Sequence, residues 1–309
     1  MQSSAFEVGN EFSPKYSLSH LTLLDCPIPE LVYIASRTGY DAISPRLIPI
    51  GTAGECPFSP LDKEMKRATR NALKLTGIDV HEIELARITD QFELKSFEAA
   101  MEFGAELGAR HLIASAWTSR RDDHSFLVET YAQICDMADH FGLSVMLEFP
   151  SFSRLENLQE AAGIVRAANC HNGGILIDTL YMHMSRVKLT ELASLPSKWF
   201  DFIHISDVLP GVPDTRAGMI QIAREARLYP GEGCIDFEAI IESLPPVNYS
   251  IETPNRSRVA ELGYEEHARH CLQAAKRSFG MTKSRRIPLP NRALMNNQNK
   301  KEHYGSHTN

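Results

Sequence analysis

Short apolar runs rich in β-branched residues alternate with longer stretches of helical period along nearly the whole chain, and this alternation restricts the fold more than any other feature. Strands are expected at 17–23, 40–44, 78–88, 111–115, 144–149, 174–178, 202–206 and 249–252. Between them, Phe97, Met101, Phe103 and Leu107 mark one helical face within 93–107. Phe126, Leu127, Tyr131, Ile134 and Met137 mark another within 123–141. Gly39, Gly77, Gly108 and Gly142 each follow a helical stretch and precede a strand, where a left-handed residue ends a helix. Strands separated by helices pair in parallel, and eight of them close into a barrel. A doubly wound open sheet competes, but no G-x-G-x-x-G follows a strand, so its nucleotide-binding form lacks its signature. The expectation is an α/β protein, a single (β/α)8 TIM barrel over 16–280. An extension precedes it at 1–15, and a tail follows at 281–309.

Composition agrees with this reading. Of 309 residues, 43% are hydrophobic and 23% charged, enough apolar surface to offset the entropy of ordering the body. The net charge is −7, yet residues 281–309 carry Lys283, Arg285, Arg286, Arg292, Lys300 and Lys301 against Glu302 alone. The body is therefore more acidic than the total, which argues against a nucleic-acid partner. The basic tail has no apolar periodicity and is expected to be disordered, or else a partner-contacting arm. Residues 1–12 contain Glu7 and Glu11 and no long apolar run, and no segment approaches the length of a membrane span. Cys26, Cys56, Cys135, Cys170, Cys234 and Cys271 form no C-x-x-C pair, so neither a disulfide framework nor a thiolate zinc site is signalled. A cytoplasmic protein with reduced cysteines and no membrane contact is expected.

Polar residues end the later apolar strands. Glu148, Asp178, His204 and Glu252 are each the first ionisable residue after a buried run. In a barrel these strand ends converge on one rim, where active sites are built. A single such Glu is more often a helix N-cap or a surface residue, but the repetition over four successive strands points to a shared site. Three carboxylates held together repel, and a divalent cation relieves that cost. Hard oxygens with one nitrogen suit one ion of Mn2+, Mg2+, Co2+ or Zn2+ rather than copper(I) or an iron–sulfur cluster, with Mn2+ the first choice.

The succession Met146-Leu147-Glu148-Phe149, Leu176-Ile177-Asp178-Thr179, Phe202-Ile203-His204-Ile205-Ser206-Asp207 and Ser250-Ile251-Glu252 resembles the xylose isomerase-like TIM-barrel superfamily. That superfamily includes sugar and sugar-phosphate isomerases and epimerases, inosose-processing enzymes, 3-dehydroshikimate dehydratases and endonuclease IV. The resemblance covers roughly residues 16–280 and implies that Glu148, Asp178, His204 and Glu252 are the metal ligands. Ser19-His20-Leu21-Thr22, Gly39 to Arg46 and Arg227 to Asp236 are similar to a bacterial sugar phosphate isomerase/epimerase branch. Two departures bear on function. Many epimerase-type members have His three residues after the Asp ligand, where this chain has Tyr181; the nearby histidine is His183. Endonuclease IV uses a His there and an Asp-x-His pair further on, and neither is present.

A divalent ion chelating a carbonyl and its neighbouring hydroxyl acidifies the proton between them and stabilises the enediolate. By resemblance, Glu148 and Glu252 are also the acid/base pair. Proton return decides between isomerisation and epimerisation, and loss of a β-hydroxyl gives dehydration. Substrate-binding candidates are Arg46, Glu84, His183, Asp207, Arg216, Arg224, Arg227 and Glu232, with Arg87 and Trp117 near them. The arginines could grip a phosphate or carboxylate, with Gly231 and Gly233 admitting the backbone; equally, 214–227 could be an amphipathic helix with solvated arginines. Asp207 could orient the His ligand or a substrate hydroxyl. His20 and His111 read as core histidines, and Trp117 and Phe149 as candidate pocket walls. The leading function is a metal-dependent isomerase or epimerase of a sugar, sugar phosphate or keto-polyol. The alternatives are a dehydratase of the 3-dehydroshikimate or inosose type and a non-catalytic ligand-binding or subunit member. The partner is a small carbohydrate or keto-acid, and a homo-oligomer is expected.

Overall fold

Pairing of the strands explains how the chain closes on itself. The computed structural model describes residues 12–51, 55, 59–119 and 124–283. Among these, the strands are β1 (Tyr16–Ser19), β2 (Ala42–Ser44), β3 (Asp79–Val80), β4 (Glu82–Ile88), β5 (His111–Ala116), β6 (Ser144–Glu148), β7 (Gly173–Ile175), β8 (Ile177–Asp178), β9 (Phe202–Ile205) and β10 (Asn248–Ile251). Every ladder is parallel, in two runs ordered β3-β2-β1-β10-β9-β8 and β4-β5-β6-β7. The runs meet at two split strands. β3 and β4 are the halves of the third expected strand, one joining β2 and the other β5; β7 and β8 divide the sixth in the same way. The ring is thereby complete, as an eight-stranded barrel requires.

Helices cover the outside. In Ile28–Thr38 the buried Ile28, Leu31, Val32 and Ala35 follow the i, i+3, i+4, i+7 spacing of one apolar face. Asp62 caps Lys63–Thr76 by accepting from the Glu64 amide. Gly39, Gly77, Gly108 and Gly142 all adopt left-handed φ, between 70° and 88°, as their positions before strands require. The core has two layers. A large one lies between strands and helices, and a small one inside the barrel contains Leu85, Ile113, Met146, Leu176 and Phe202.

The expected elements shift in a few places. The strand placed at 17–23 ends at Ser19, and His20–Leu23 forms a 3-10 turn whose first free amide, Leu21 N, is capped by the Ser19 hydroxyl. A continuous buried apolar run carries no periodicity to separate the two conformations. The helix at 93–107 begins as the 3-10 turn Leu94–Phe97 and becomes α-helical over Glu98–Glu106. The tail expected from 281 lies outside the described residues except for its first three, which continue the helix Tyr264–Lys283. No helix among the described residues is long and apolar enough to cross a membrane.

Candidate metal centre and active-site cleft

Glu148 is the last residue of β6, Asp178 the last of β8, His204 the third of β9, and Glu252 directly follows β10. All four are buried, and one ligand atom from each lies within 4.8 Å of the other three. The parallel register sets this, since Asp178 and Ser250 both pair with His204.

Two groups hold these side chains from behind. His204 Nε2 lies 3.3 Å from Glu82 Oε1, and Glu82 Oε2 lies 2.6 Å from His81 Nδ1. This leaves His204 Nδ1 facing Glu252 Oε1 at 3.3 Å and Glu148 Oε1 at 3.9 Å, buried and without a hydrogen bond. Arg227 is fully buried and bridges two members of the cluster, donating through Nη1 to Asp178 Oδ2 and through Nη2 to Glu252 Oε2, each at 2.7 Å. Asp178 also caps the helix Thr179–Met184 through the Leu180 amide. The N-cap role and membership of the cluster therefore coexist, because a carboxylate has four lone-pair sites.

The charges are not balanced by these contacts alone. Burial, followed by repulsion from Glu252, pushes the Glu148 carboxyl well above its usual range. Burial raises Asp178 as well, against the pull of Arg227. Glu252 is lowered, because His204 and Arg227 outweigh its burial, and His204 is raised because Glu252 and Glu82 outweigh its own burial. Such a cluster keeps protons that a cation would displace. The orphaned imidazole nitrogen and three converging carboxylates fit a divalent cation with mixed oxygen and nitrogen ligands.

Glu148, His204 and Glu252 line a cleft of about 390 Å3, whose other walls include Leu85, Ile113, Trp117, Phe152 and Tyr181. Arg46, Glu84 and Arg224 also line it, as their sequence positions suggest. Arg46 and Glu84 pair with each other at 2.8 Å, and Ser19 Oγ lies 3.0 Å from Glu84 Oε1 and 3.2 Å from Glu252 Oε1.

The remaining candidates lie off the cleft. Asp207 touches neither His204 nor the cleft; it accepts from the amides of Val208, Gly231, Gly233 and Ile235. Arg216 donates to the Phe152 carbonyl, and His183 Nε2 to that of Gly211. Glu232 pairs with Arg258 and accepts from the Tyr229 amide. Arg227 lies beneath the ligands instead of among the lining residues, and Phe149 is in the outer core. Within the loop after β9, Gly231, Gly233 and Ile235 fold back onto Asp207 through their amides. His20 is a satisfied core residue, its Nδ1 accepting from the Arg46 amide and its Nε2 donating to the Cys26 carbonyl. His111 is buried near His81 and Phe202. Glu82 is absent from the sequence-derived site: its two-residue spacing from Glu84 puts both on one strand face, but nothing local ties it to His204.

The fold and site together define a closed parallel barrel with a buried Glu/Asp/His/Glu cluster at the ends of its strands. The chain belongs to the xylose isomerase-like TIM barrel family, whose family model matches residues 32–274. An inosose isomerase of Bacillus licheniformis is 24% identical over 164 residues, covering 51% of this chain; the match spans only 57% of that relative. The structure of the IolI protein with a bound zinc atom superposes with a TM-score of 0.72 at 19% identity, over 87% of this chain and 99% of that one. A 3-keto-D-glucoside 4-epimerase from E. coli gives 0.61 at 18%, over 88% and 100%.

Proposed function

We propose that this chain is a divalent-metal-dependent isomerase or epimerase of a sugar, sugar phosphate or keto-polyol, transferring a proton next to a carbonyl. The observation that carries this reading is the convergence of Glu148, Asp178, His204 and Glu252 beside the floor of one cleft. Glu148, Asp178, His204 and Glu252 would hold the cation. When bound, the ion supplies polarisation of a substrate carbonyl and so acidifies the adjacent C–H.

The protein's own groups then divide the work. Glu148 and Glu252 enter the cleft from strands β6 and β10, which are not neighbours, so they approach a bound substrate from different sides. One takes the proton from carbon and the other returns it. Return to the opposite face of the same carbon epimerises, whereas return to the former carbonyl carbon, with the neighbouring hydroxyl proton passing to the former carbonyl oxygen, isomerises. Leu85, Ile113, Trp117 and Phe152 supply apolar walls to the cleft. His204 is kept from rotating by Glu82, and Arg227 fixes the far oxygens of Asp178 and Glu252. Inosose isomerase among the relatives makes keto-inositols first substrates to try, and the zinc-bound neighbour adds zinc to manganese as a metal to load. The reading also takes the protein as a cytoplasmic homo-oligomer acting on a small molecule.

Proton NMR in D2O tests it. The manganese- or zinc-loaded protein is incubated with ketoses, ketose phosphates, keto-inositols and 3-dehydroshikimate. Deuterium entering next to a carbonyl, together with a new isomer, is expected. Loss of water with a new alkene signal would replace the reading by a dehydratase. Metal binding without any exchange would favour a non-catalytic member.

A further inference from the structure

We infer that the substrate carries an oxyanion, a carboxylate or a phosphate ester, which Arg87 and Arg224 bind at the mouth of the cleft. This rests on the proposed chemistry at the metal centre, and it names the substrate class.

The inference follows from which arginines are already engaged. Arg227 is neutralised by Asp178 and Glu252, and Arg46 by Glu84 and Glu55. Arg216 is held by a carbonyl, and Arg256 pairs with Glu225. Arg224 lines the cleft and makes no hydrogen bond or ion pair among the described residues. Arg87 makes none either; its Nε is buried and orphaned, and its guanidinium lies 4.4 Å over the ring of Trp117, a cleft-lining residue. Its pKa is lowered by burial and by the charges of Arg224 and Arg46, against the pull of Glu55. Of the lining carboxylates that neither Arg46 nor Arg227 engages, Glu148 belongs to the four-residue cluster, Glu225 is paired with Arg256 and Asp25 is exposed.

The placement of Arg87 is built into the sheet. Side chains alternate along a strand, and Glu82 and Glu84 face the barrel interior. Between Ile83 and Ala86 the register of β4 against β5 shifts. Beyond the shift Leu85 joins the inner core, while Ala86 and Ile88 join the outer one. Arg87 therefore takes the inward phase, where a regular strand would have turned it toward the helices. A neutral sugar would leave Arg224 without an ion pair and Arg87 with only the through-space attraction of Glu55, which Arg46 already engages. A carboxylate or phosphate accepts from both in the planar, bidentate manner that arginine favours.

Calorimetry on the metal-loaded chain tests this with matched probes: fructose, fructose 6-phosphate, shikimate and inorganic phosphate. The charged probes are expected to bind more tightly than fructose, and their affinity to fall with added salt. Arg224→Gln, on a half-exposed helical position, is expected to weaken them about tenfold and leave fructose unchanged. Arg87→Gln is expected to do the same, and Arg87→Lys, which keeps the charge, to retain part of the affinity. Preference for fructose 6-phosphate or for shikimate identifies phosphate or carboxylate as the source. Equal affinity for charged and neutral probes, or charged-probe binding that Arg224→Gln leaves intact, overturns the inference. The readout is binding, so the two proposals fail separately. Deuterium exchange into a neutral ketose without anion preference overturns this one alone. Arginine-dependent anion binding with no exchange overturns only the proton-transfer reading.

Discussion

Glu82 is fully buried between two imidazoles, and its carboxylate is held ionised: burial opposes this, but His81 and His204 outweigh it. It sets which nitrogen of His204 faces the cluster, a role that outer groups commonly play for metal-bound histidines. Glu82→Gln keeps the size and loses the charge, so manganese affinity is expected to fall about 10- to 100-fold, measured by titration with a competing chelator. An unchanged affinity would leave Glu82 with a packing role only. Glu148→Ala and Glu252→Ala each remove one carboxylate of the four-residue cluster, a proposed ligand and acid/base group. Both are expected to lose metal affinity and turnover while keeping the circular dichroism of the fold; full metal stoichiometry in both variants would refute the quartet. The four strand-end residues were legible because each interrupts an apolar run at the same place. Glu82 was not, because its partner His204 is 122 positions away and only the closed barrel brings them together.

The loop from Asp207 to Asp236 shows how an element can be recognised yet misread. Its glycines suggest backbone approach to a substrate, but Gly231 and Gly233 instead approach Asp207, whose Oδ2 accepts both amides at 2.9 Å. A Cβ on Gly233 would sit 2.2 Å from the Val208 carbonyl oxygen and 2.3 Å from Asp207 Oδ1. Gly233→Ala must therefore displace the turn from its carboxylate. It is expected to cost about 2 kcal/mol or more in urea unfolding, the scale of lost buried hydrogen bonds. A change within about 0.5 kcal/mol would mean the loop relaxes freely. Arg227, in the same loop, donates to Asp178 and Glu252, so the motif braces the carboxylate cluster. The amphipathic helix expected at 214–227 is real over Arg216–Glu225, with Thr215 as its cap. Its arginines nevertheless have separate fates, one held by a carbonyl and one left open to the cleft.

For the molecule as a whole, buried titratable groups set the response to acid. Burial holds His20 near 4, His111 near 3 and His267 near 4, all below the ordinary 6.5. The unfolded chain takes up these protons from about pH 6.5 downward and the folded chain does not, so their contribution is complete above 6.5 and is lost as pH falls toward the folded values. Glu148 and Asp178, raised in the cation-free cluster, act in the opposite sense and favour the fold as pH falls. A bound cation removes that compensation by keeping both ionised. The urea midpoint is therefore expected to drop more steeply between pH 7 and 5 for the manganese-loaded protein than for the cation-free protein. Parallel slopes would show that the cation does not contact these carboxylates.

Local chemistry sufficed for several features. Apolar runs, helical faces and glycine stops specify an eightfold alternation, and a charge at the end of a buried run belongs at a rim whatever the loops do. Those are properties of neighbours in the chain, where spacing is itself the physical constraint. The tertiary structure decided which polar groups neutralise which. Arg227 turned inward, Asp207 became the hub of a turn, Glu82 joined His204, and β4 shifted its register before Arg87, whose guanidinium lies over Trp117. Each of these outcomes depends on desolvation and on partners brought close by barrel closure, and a buried charge takes whichever partner the closed fold sets beside it.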